Sequence, residues 1–551
     1  MTELIDRAQV ELLRAFRDTD VLARATERVV GELERALRAA LDLPRSAMRL
    51  QGAEAPALLE RMIPVVEASV RGAVNGMSPT HWLWVLRRVP LEVFGCGSGA
   101  AYDRALAELL TVDAVPERAR VRMTALGEMA YRVDRVTLFR LGKLVAGALY
   151  LSNLHSIYRW ACKGAPIVVR GGRLAVEAEP ALEEAVKLYD RRSASTRGPL
   201  DRTGTAAARF DDEGDDSEAL LFVTAMGSTR MTLPGETVRL PVDEASFRAA
   251  YSANALSLGE LRSWLASAQH PWPREARVLV RLLRIGFGFL VQHRQGAFQL
   301  LSRGYLVIDE PRFKELALER LSQLGALPAD EPRDGEELLA ALVEVKPSAW
   351  PVRPGPPVRL EGGKVWLDLY AASNRLETAM ELPELDGDAP NRRARAFENE
   401  VQALLDASEY RPPDELRALR RTQLRVDGDF FTDLDAIGCR GDDLLLVSCK
   451  SLRRTASYEQ GEHATVRNRS DEVQKACRAW IDKVAHLRRE PRGDNFDLSR
   501  FRRIDGVVCT PTPIFVPLGS ATEDVLPGLL RATSYGELRG WLRRGGAADA
   551  A

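Results

Sequence analysis

Residues 429–451 read DFFTDLDAIGCRGDDLLLVSCKS, and the reading of this stretch decides how the carboxy-terminal part of the chain is understood. Its pattern predicts a β-hairpin. Residues 430–438 form the first strand, the polar run 439–443 the turn, and the apolar run 444–450 the second strand. Side chains alternate across a strand, so Asp433, Asp435 and Ile437 share one face of the first strand. Leu446, Ser448 and Lys450 share one face of the second. If the hairpin pairs with Asp435 near Lys450, a carboxylate and an ammonium meet at its open end. A carboxylate is a hard oxygen ligand for Mg²⁺ or Mn²⁺. An ammonium beside it can steady a phosphate or orient an attacking water.

At Thr432-Asp433-Leu434-Asp435-Ala436-Ile437 and Val447-Ser448-Cys449-Lys450 the chain resembles the PD-(D/E)XK nuclease superfamily, whose half-motif is an Asp on one strand and an acid-x-Lys tripeptide ending the next. The resemblance covers roughly a quarter of the chain. It implies a restriction-endonuclease-like α/β domain with an α-β-β-β-α-β core, a Mg²⁺ or Mn²⁺ cofactor and DNA as partner. Asp435 and Lys450 take the catalytic positions. Ser448 stands where the family has its second acid, and a hydroxyl is a far poorer metal ligand. A glutamate on the family's first helix often completes the metal site; Glu398 matches it and Glu400 is the reserve. The implied metal set is Asp435, Glu398 and the backbone carbonyl of Cys449, completed by waters. Asp433 and Ser448 stand close by, and Glu459 or Glu472 could serve as a migrated acid. A setting in bacterial defence or DNA repair is an analogy from the superfamily.

The elements around the hairpin fit that order. Residues 391–405 form a helix with Phe397, Val401, Leu404 and Leu405 on one stripe, 416–426 a strand, and 471–487 a strong helix. Residues 504–509 form a strand, and 534–542 a final helix. Arg453, Arg454, Arg467 and Arg469 flank the hairpin as nucleic-acid contacts. Arg417, Arg420, Arg421 and Arg425 precede it, placed to neutralise phosphates in a salt-dependent way. His463, in the following loop, is either a phosphate contact or a solvated loop histidine. Cys449 reads as a small buried hydrophobe. Plainer readings stand beside these. Asp433 and Asp435 can be polar residues on a solvated strand face, and Lys450 a charge that protects a strand edge. The same fold can also be a catalytically degenerate module that binds nucleic acid or a protein partner.

The chain has 551 residues, more than one compact domain accommodates. Its 77 Lys+Arg against 78 Asp+Glu exclude a global charge signal, so a nucleic acid needs a local basic surface. Six cysteines without a CxxC pair exclude a zinc ribbon or disulfide framework and suit the cytosol. The charged start lacks a signal-peptide core, and 278–291 is too short and too charged to span a membrane.

The expected organisation is a mainly helical domain over 1–192, a polar loop or insertion over 193–217, and a mixed, mainly helical domain over 218–345. A hairpin-helix connector over 346–388 leads to the nuclease-like domain, 389–551. Within the first domain, 8–43, 56–74 and 117–160 read as helical, and 167–176 as a hairpin turning at Gly171-Gly172. A glycine-rich turn, 95–99, is an interhelical loop or a phosphate cradle. Strands are expected at 220–225 and 230–240, and helix over 245–324. The helical amino-terminal part is expected to recognise a target or a protein partner.

Overall fold

The computed structural model describes residues 20–195, 219–221, 255–257, 274–292, 304–322, 332–343, 355–372 and 389–545, with Leu12 and Arg375. It is interrupted at 44–45, 90, 95–98, 117–120, 124–128, 132, 171, 453–454 and 460. Of the loop expected over 193–217, residues 193–195 instead end a helix and 196–217 lie outside these residues, as do the strand at 230–240 and residues 95–98 of the glycine-rich turn expected at 95–99.

Helices with small mixed sheets make up the molecule. The amino-terminal part packs α1 (Asp20–Leu41), α2 (Glu54–Ala73), α3 (Pro79–Leu86), α4 (Gly99–Leu110) and α5 (Arg135–Cys162) around one core. Helix α3 is started by Ser78, whose side chain accepts the His81 N–H, with Pro79 at the first helical position. The expectation of helix over 117–160 holds only from Arg135. Before it, β2 (Val121–Met123) and β3 (Met129–Tyr131) form a ribbon that carries Tyr131 into the core against His81. The 167–176 hairpin is present as β4 (Ile167–Arg170) and β5 (Arg173–Val176), with β1 (Met48–Leu50) as a third strand. Helix α6 (Pro180–Ser195) follows.

Further on, short strands β6 (Ala219–Leu221) and β7 (Ala255–Ser257) pair, and α7 (Arg274–Gln292) follows. The pattern predicts helix over 245–324, but β7 is a strand, and so is β8 (Tyr305–Asp309), which leads into α8 (Glu310–Ser322). Tyr305, Leu306, Val307 and Ile308 are all buried, and periodicity alone cannot tell such a run from a buried helix. After α9 (Gly335–Val343), β9 (Val358–Glu361) and β10 (Lys364–Asp368) form a hairpin whose second strand also pairs with β8. Asp368 thereby reaches Arg87 of the helical part.

The carboxy-terminal part opens with α10 (Ala389–Asp406). The strand expected over 416–426 is mostly something else. Pro413, Asp414 and Glu415 start a helical turn, α11 (Asp414–Arg417), and only β11 (Leu424–Val426) is extended. It pairs with β12 (Asp429–Thr432) across Asp427 and Gly428, at φ 54° and 84°. Two left-handed residues of this type close a tight type I′ hairpin.

The single strand expected over 430–438 is therefore two. After β12 the chain leaves the ribbon through Asp433, Leu434 and Asp435 and re-enters a different sheet as β13 (Ala436–Arg440). The break has a local cause: the Leu434 carbonyl accepts the Arg421 N–H, and the Asp435 carbonyl accepts Arg420 Nε. Asp433, Asp435 and Ile437 thus do not share one strand face. The turn at Arg440–Asp443 and the apolar strand β14 (Asp443–Cys449) are as expected.

From β14, α12 (Ala456–Glu459) and α13 (His463–Arg489) cross to β15 (Arg503–Thr510), which runs parallel to β14. Strands β16 (Asp524–Leu526) and β17 (Leu529–Leu530) form a ribbon, and β18 (Ala532–Ser534) closes the sheet in the order β13-β14-β15-β18. Helix α14 (Tyr535–Arg543) starts with a Ser534/Glu537 capping box. A strand covered on both faces reads as a continuous apolar run, which explains Leu444–Val447. Leu444 and Leu446 pack with Val473, Cys477, Trp480 and Val484 of α13. Leu445 and Val447 pack with Phe397, Val401 and Leu405 of α10 and Trp541 of α14. Gly438 is required by close packing, since a Cβ there would lie 2.8 Å from the Tyr410 carbonyl.

No described helix is long and apolar enough to cross a membrane.

Candidate active site

The carboxy-terminal end of β14 is where the sheet gathers chemistry. Strand β13 pairs with β14 only as far as Ala436 and Val447, so the β13-facing edge of Cys449 has no ladder partner. Asp435 fills that gap. Its Oδ2 accepts the Cys449 N–H at 2.6 Å and lies 3.4 Å from Ser448 Oγ. A residue's N–H and C=O leave a strand on the same side. The Cys449 carbonyl therefore faces the Asp435 edge as well, while the Lys450 N–H turns the other way to the Cys509 carbonyl at 2.8 Å.

Electrostatics single out Asp435. Burial raises its carboxyl to about 6, the Cys449 N–H opposes the rise, the charges of Glu398 and Asp433 add to it, and Lys450 opposes it. Glu398, Asp433, Asp435 and Lys450 thus share one electrostatic neighbourhood. The Cys449 thiol is pushed well above its usual range by burial, with Cys509, Asp435 and Glu398 adding to it, so it stays protonated and unreactive.

Helix α10 supplies Glu398. Phe397, Val401 and Leu405 anchor one side of the helix in the core and leave Glu398 at its half-buried margin. Its Oε2 accepts Arg421 Nε at 3.2 Å. Glu400 lies ~200° further round the helix. Gln402 of the same helix is buried and clasps β13, donating to the Ile437 carbonyl at 3.0 Å and accepting its N–H at 2.9 Å. This covers the sheet's open edge and fixes β13 against α10.

Several expected site residues are placed elsewhere. Glu472 pairs with Arg469 at 3.6 Å on the exposed face of α13, where Arg467 is exposed too. His463 opens α13 and is not in a loop, because the helix begins about two turns earlier than the apolar pattern from Val473 suggests. Arg453, Arg454 and the side chain of Glu459 lie outside the described residues. Arg417 pairs with Asp406 and Asp414, while Arg420 and Arg421 turn towards Asp435 and Glu398. Gln402 and Asn399, which accepts from both Arg420 and Arg421, carry no sequence signal as a site, and Arg420, expected as a phosphate contact, grips the Asp435 carbonyl. Only the density of arginines over 417–425 hints that something acidic lies nearby.

Comparison with protein-family models, with curated proteins and with solved structures found no match to this chain.

Proposed function

We propose that the carboxy-terminal domain is a restriction-endonuclease-like domain and that the protein is a divalent-metal-dependent nuclease acting on DNA phosphodiester bonds. One observation carries this reading: a half-buried Asp435, raised by burial and by Glu398, beside Lys450 and the free edge of Cys449 at the end of β14. A carboxylate raised by burial, with a second acid beside it, gains from taking up a cation.

The donor set fits Mg²⁺ or Mn²⁺. Asp435, Glu398 and the Cys449 carbonyl would hold it, and Mg²⁺ usually keeps several waters and borrows phosphate oxygens. When bound, such an ion lowers the pKa of a water and neutralises phosphate charge. The chain's own residues do the rest. The Cys449 N–H fixes the Asp435 carboxylate, and Gln402 holds the strand that carries it. Lys450 Nζ, with no ion pair among the described residues, is the group left to stabilise charge developing on the phosphate or to orient the attacking water. The helical amino-terminal part would serve target or partner recognition.

A second reading has its own support. Ser448 replaces an acid, Arg421 already occupies Glu398, and no group of three or more His, Cys, Asp or Glu with metal-binding geometry exists among the described residues. This favours a degenerate module that holds nucleic acid or a protein partner without cutting.

Lys450→Met separates the two, because it keeps the aliphatic stem and deletes only the charge. Under single-turnover conditions with Mn²⁺, the nuclease reading expects DNA cleavage by the wild type and a loss of ~10²-fold or more in the variant, with metal binding retained. A binding module expects no cleavage by either protein and a salt slope reduced by about one phosphate contact. Equal cleavage by both proteins removes Lys450 from the mechanism.

A further inference from the structure

Two adjacent arginines hold the two carboxylate-bearing elements together. Arg420 donates Nε to the Asp435 carbonyl at 2.8 Å and Nη2 to Asn399 Oδ1 at 2.7 Å. Arg421 donates Nε to Glu398 Oε2, and Nη2 to the Arg395 carbonyl and to Asn399 Oδ1, each at 3.2 Å. Arg421 has φ 62°, and its N–H is bound to the Leu434 carbonyl at 2.9 Å. A non-glycine residue in this left-handed region is strained and persists where its surroundings over-determine it.

The two arginines do different things. Arg420 grips backbone, so it positions Asp435. Arg421 grips a carboxylate that the proposed metal would need. The side chain of Arg421 is 43% exposed and that of Glu398 17%, so the guanidinium reaches solvent while the acid is largely covered.

We propose that Arg421 is a phosphate-operated latch on Glu398. Without substrate, its guanidinium neutralises Glu398 and keeps the affinity for a divalent cation low. A nucleic-acid phosphate, which a planar guanidinium binds in bidentate fashion, draws it away and frees the carboxylate. This rests on the nuclease reading of the site.

The local charges support it. Lys450 lies in the field of Asp435 and Arg421 pairs with Glu398, so a dication entering the closed site meets two carboxylates whose charge is already opposed. With Ser448 in place of an acid, no further carboxylate among the described residues makes up the difference. Linkage then requires that phosphate tighten metal binding and metal tighten phosphate binding by the same factor.

Calorimetric titration of Mn²⁺ into the full chain tests this in Lys450→Met protein, which suppresses turnover. It is run with and without a short DNA duplex, whose own Mn²⁺ binding is subtracted. Adding Arg421→Gln should tighten Mn²⁺ binding ~3- to 10-fold without DNA, the range expected for release of a partly exposed ion pair. The duplex should tighten binding in the protein that keeps Arg421 and no longer do so in the Arg421→Gln variant. Arg421→Gly, which adopts φ 62° without strain, should behave as Arg421→Gln does. With Glu398→Gln also present, Arg421→Gln should no longer change Mn²⁺ binding. Mn²⁺ binding that is unchanged or weaker on removing Arg421 overturns the latch and leaves the nuclease reading standing. Absence of Mn²⁺ binding from every protein, wild type included, overturns both.

Discussion

In the amino-terminal part, Arg87, Glu108, Asp368 and Arg359 meet with side chains at most 6% exposed. In the carboxy-terminal domain, Asp435, Glu398, Lys450 and Arg421 meet at an edge that water reaches, Arg421 being 43% exposed. In the first cluster both carboxylates are paired, and only Arg359 Nε is left without a partner among the described residues. Arg87 donates to both carboxylates, with Nη2 2.6 Å from Glu108 Oε2 and 3.0 Å from Asp368 Oδ2. Arg359 reaches Asp368 at 3.2 Å, and the Ala371 N–H takes its other oxygen at 3.0 Å. The cluster joins α3 and α4 to β10, two regions 281 residues apart in sequence at Arg87 and Asp368. The second cluster has one oxygen of Asp435 bonded and a lysine that no described acid claims. Paired carboxylates in a dry interior fix a packing arrangement. Partial pairing at a wet strand end leaves valence for something that arrives.

This contrast is broken most strongly through the dry cluster. Asp368→Ala leaves Arg87 and Arg359 short of a buried partner and should cost about 3–5 kcal/mol of stability, read by urea denaturation. A cost below about 1 kcal/mol would mean that the network is not what joins the two parts.

The wet cluster should respond in the opposite direction. The Asp435 carboxyl is raised from 3.8 to about 6, so the folded chain holds its proton more tightly than the unfolded chain does. Its contribution is fully present below pH ~4 and is lost as pH rises through about 6. In EDTA, Asp435→Asn should therefore be more stable than wild type at pH ~7.5, by on the order of 1–3 kcal/mol, and about equal to it near pH ~4. Destabilisation by Asp435→Asn at the higher pH would mark Asp435 as a structural residue like Asp368.

The smallest effect sharpens the reading of Ser448. Ser448→Asp adds a carboxylate beside Asp435 and should tighten Mn²⁺ binding by roughly tenfold, since ligand charge tunes such sites. Calorimetry showing weaker binding would mean that the Ser448 hydroxyl is needed as it stands.

Much of the wet cluster is legible in the sequence because it is local. Asp435, Ser448, Cys449 and Lys450 lie on neighbouring segments, and the apolar run Leu444–Val447 betrays a strand covered on both faces. Glu398 is reachable because Phe397, Val401 and Leu405 mark the buried stripe of its helix. The break at Asp433–Asp435 is not legible, since it depends on Arg420 and Arg421 taking backbone carbonyls from a separate turn. Those arginines look like phosphate contacts because sequence shows a charge without its partner. The dry cluster is hidden for the same reason: Arg87, Glu108 and Asp368 are ordinary residues until the fold brings β10 against α3. Strand β8 escapes a sequence reading because four buried residues in a row have no period to read.

Whether the Asp435 cluster takes up a divalent cation is tested most directly by thermal unfolding at pH ~7.5 with increasing Mn²⁺, because a ligand bound only to the folded state raises its stability. A metal site at Asp435 requires that Mn²⁺ raise the melting temperature of the wild type and not of Asp435→Asn, whose amide is a poorer ligand. A Mn²⁺-induced rise of the same size in both proteins, or in neither, would contradict it.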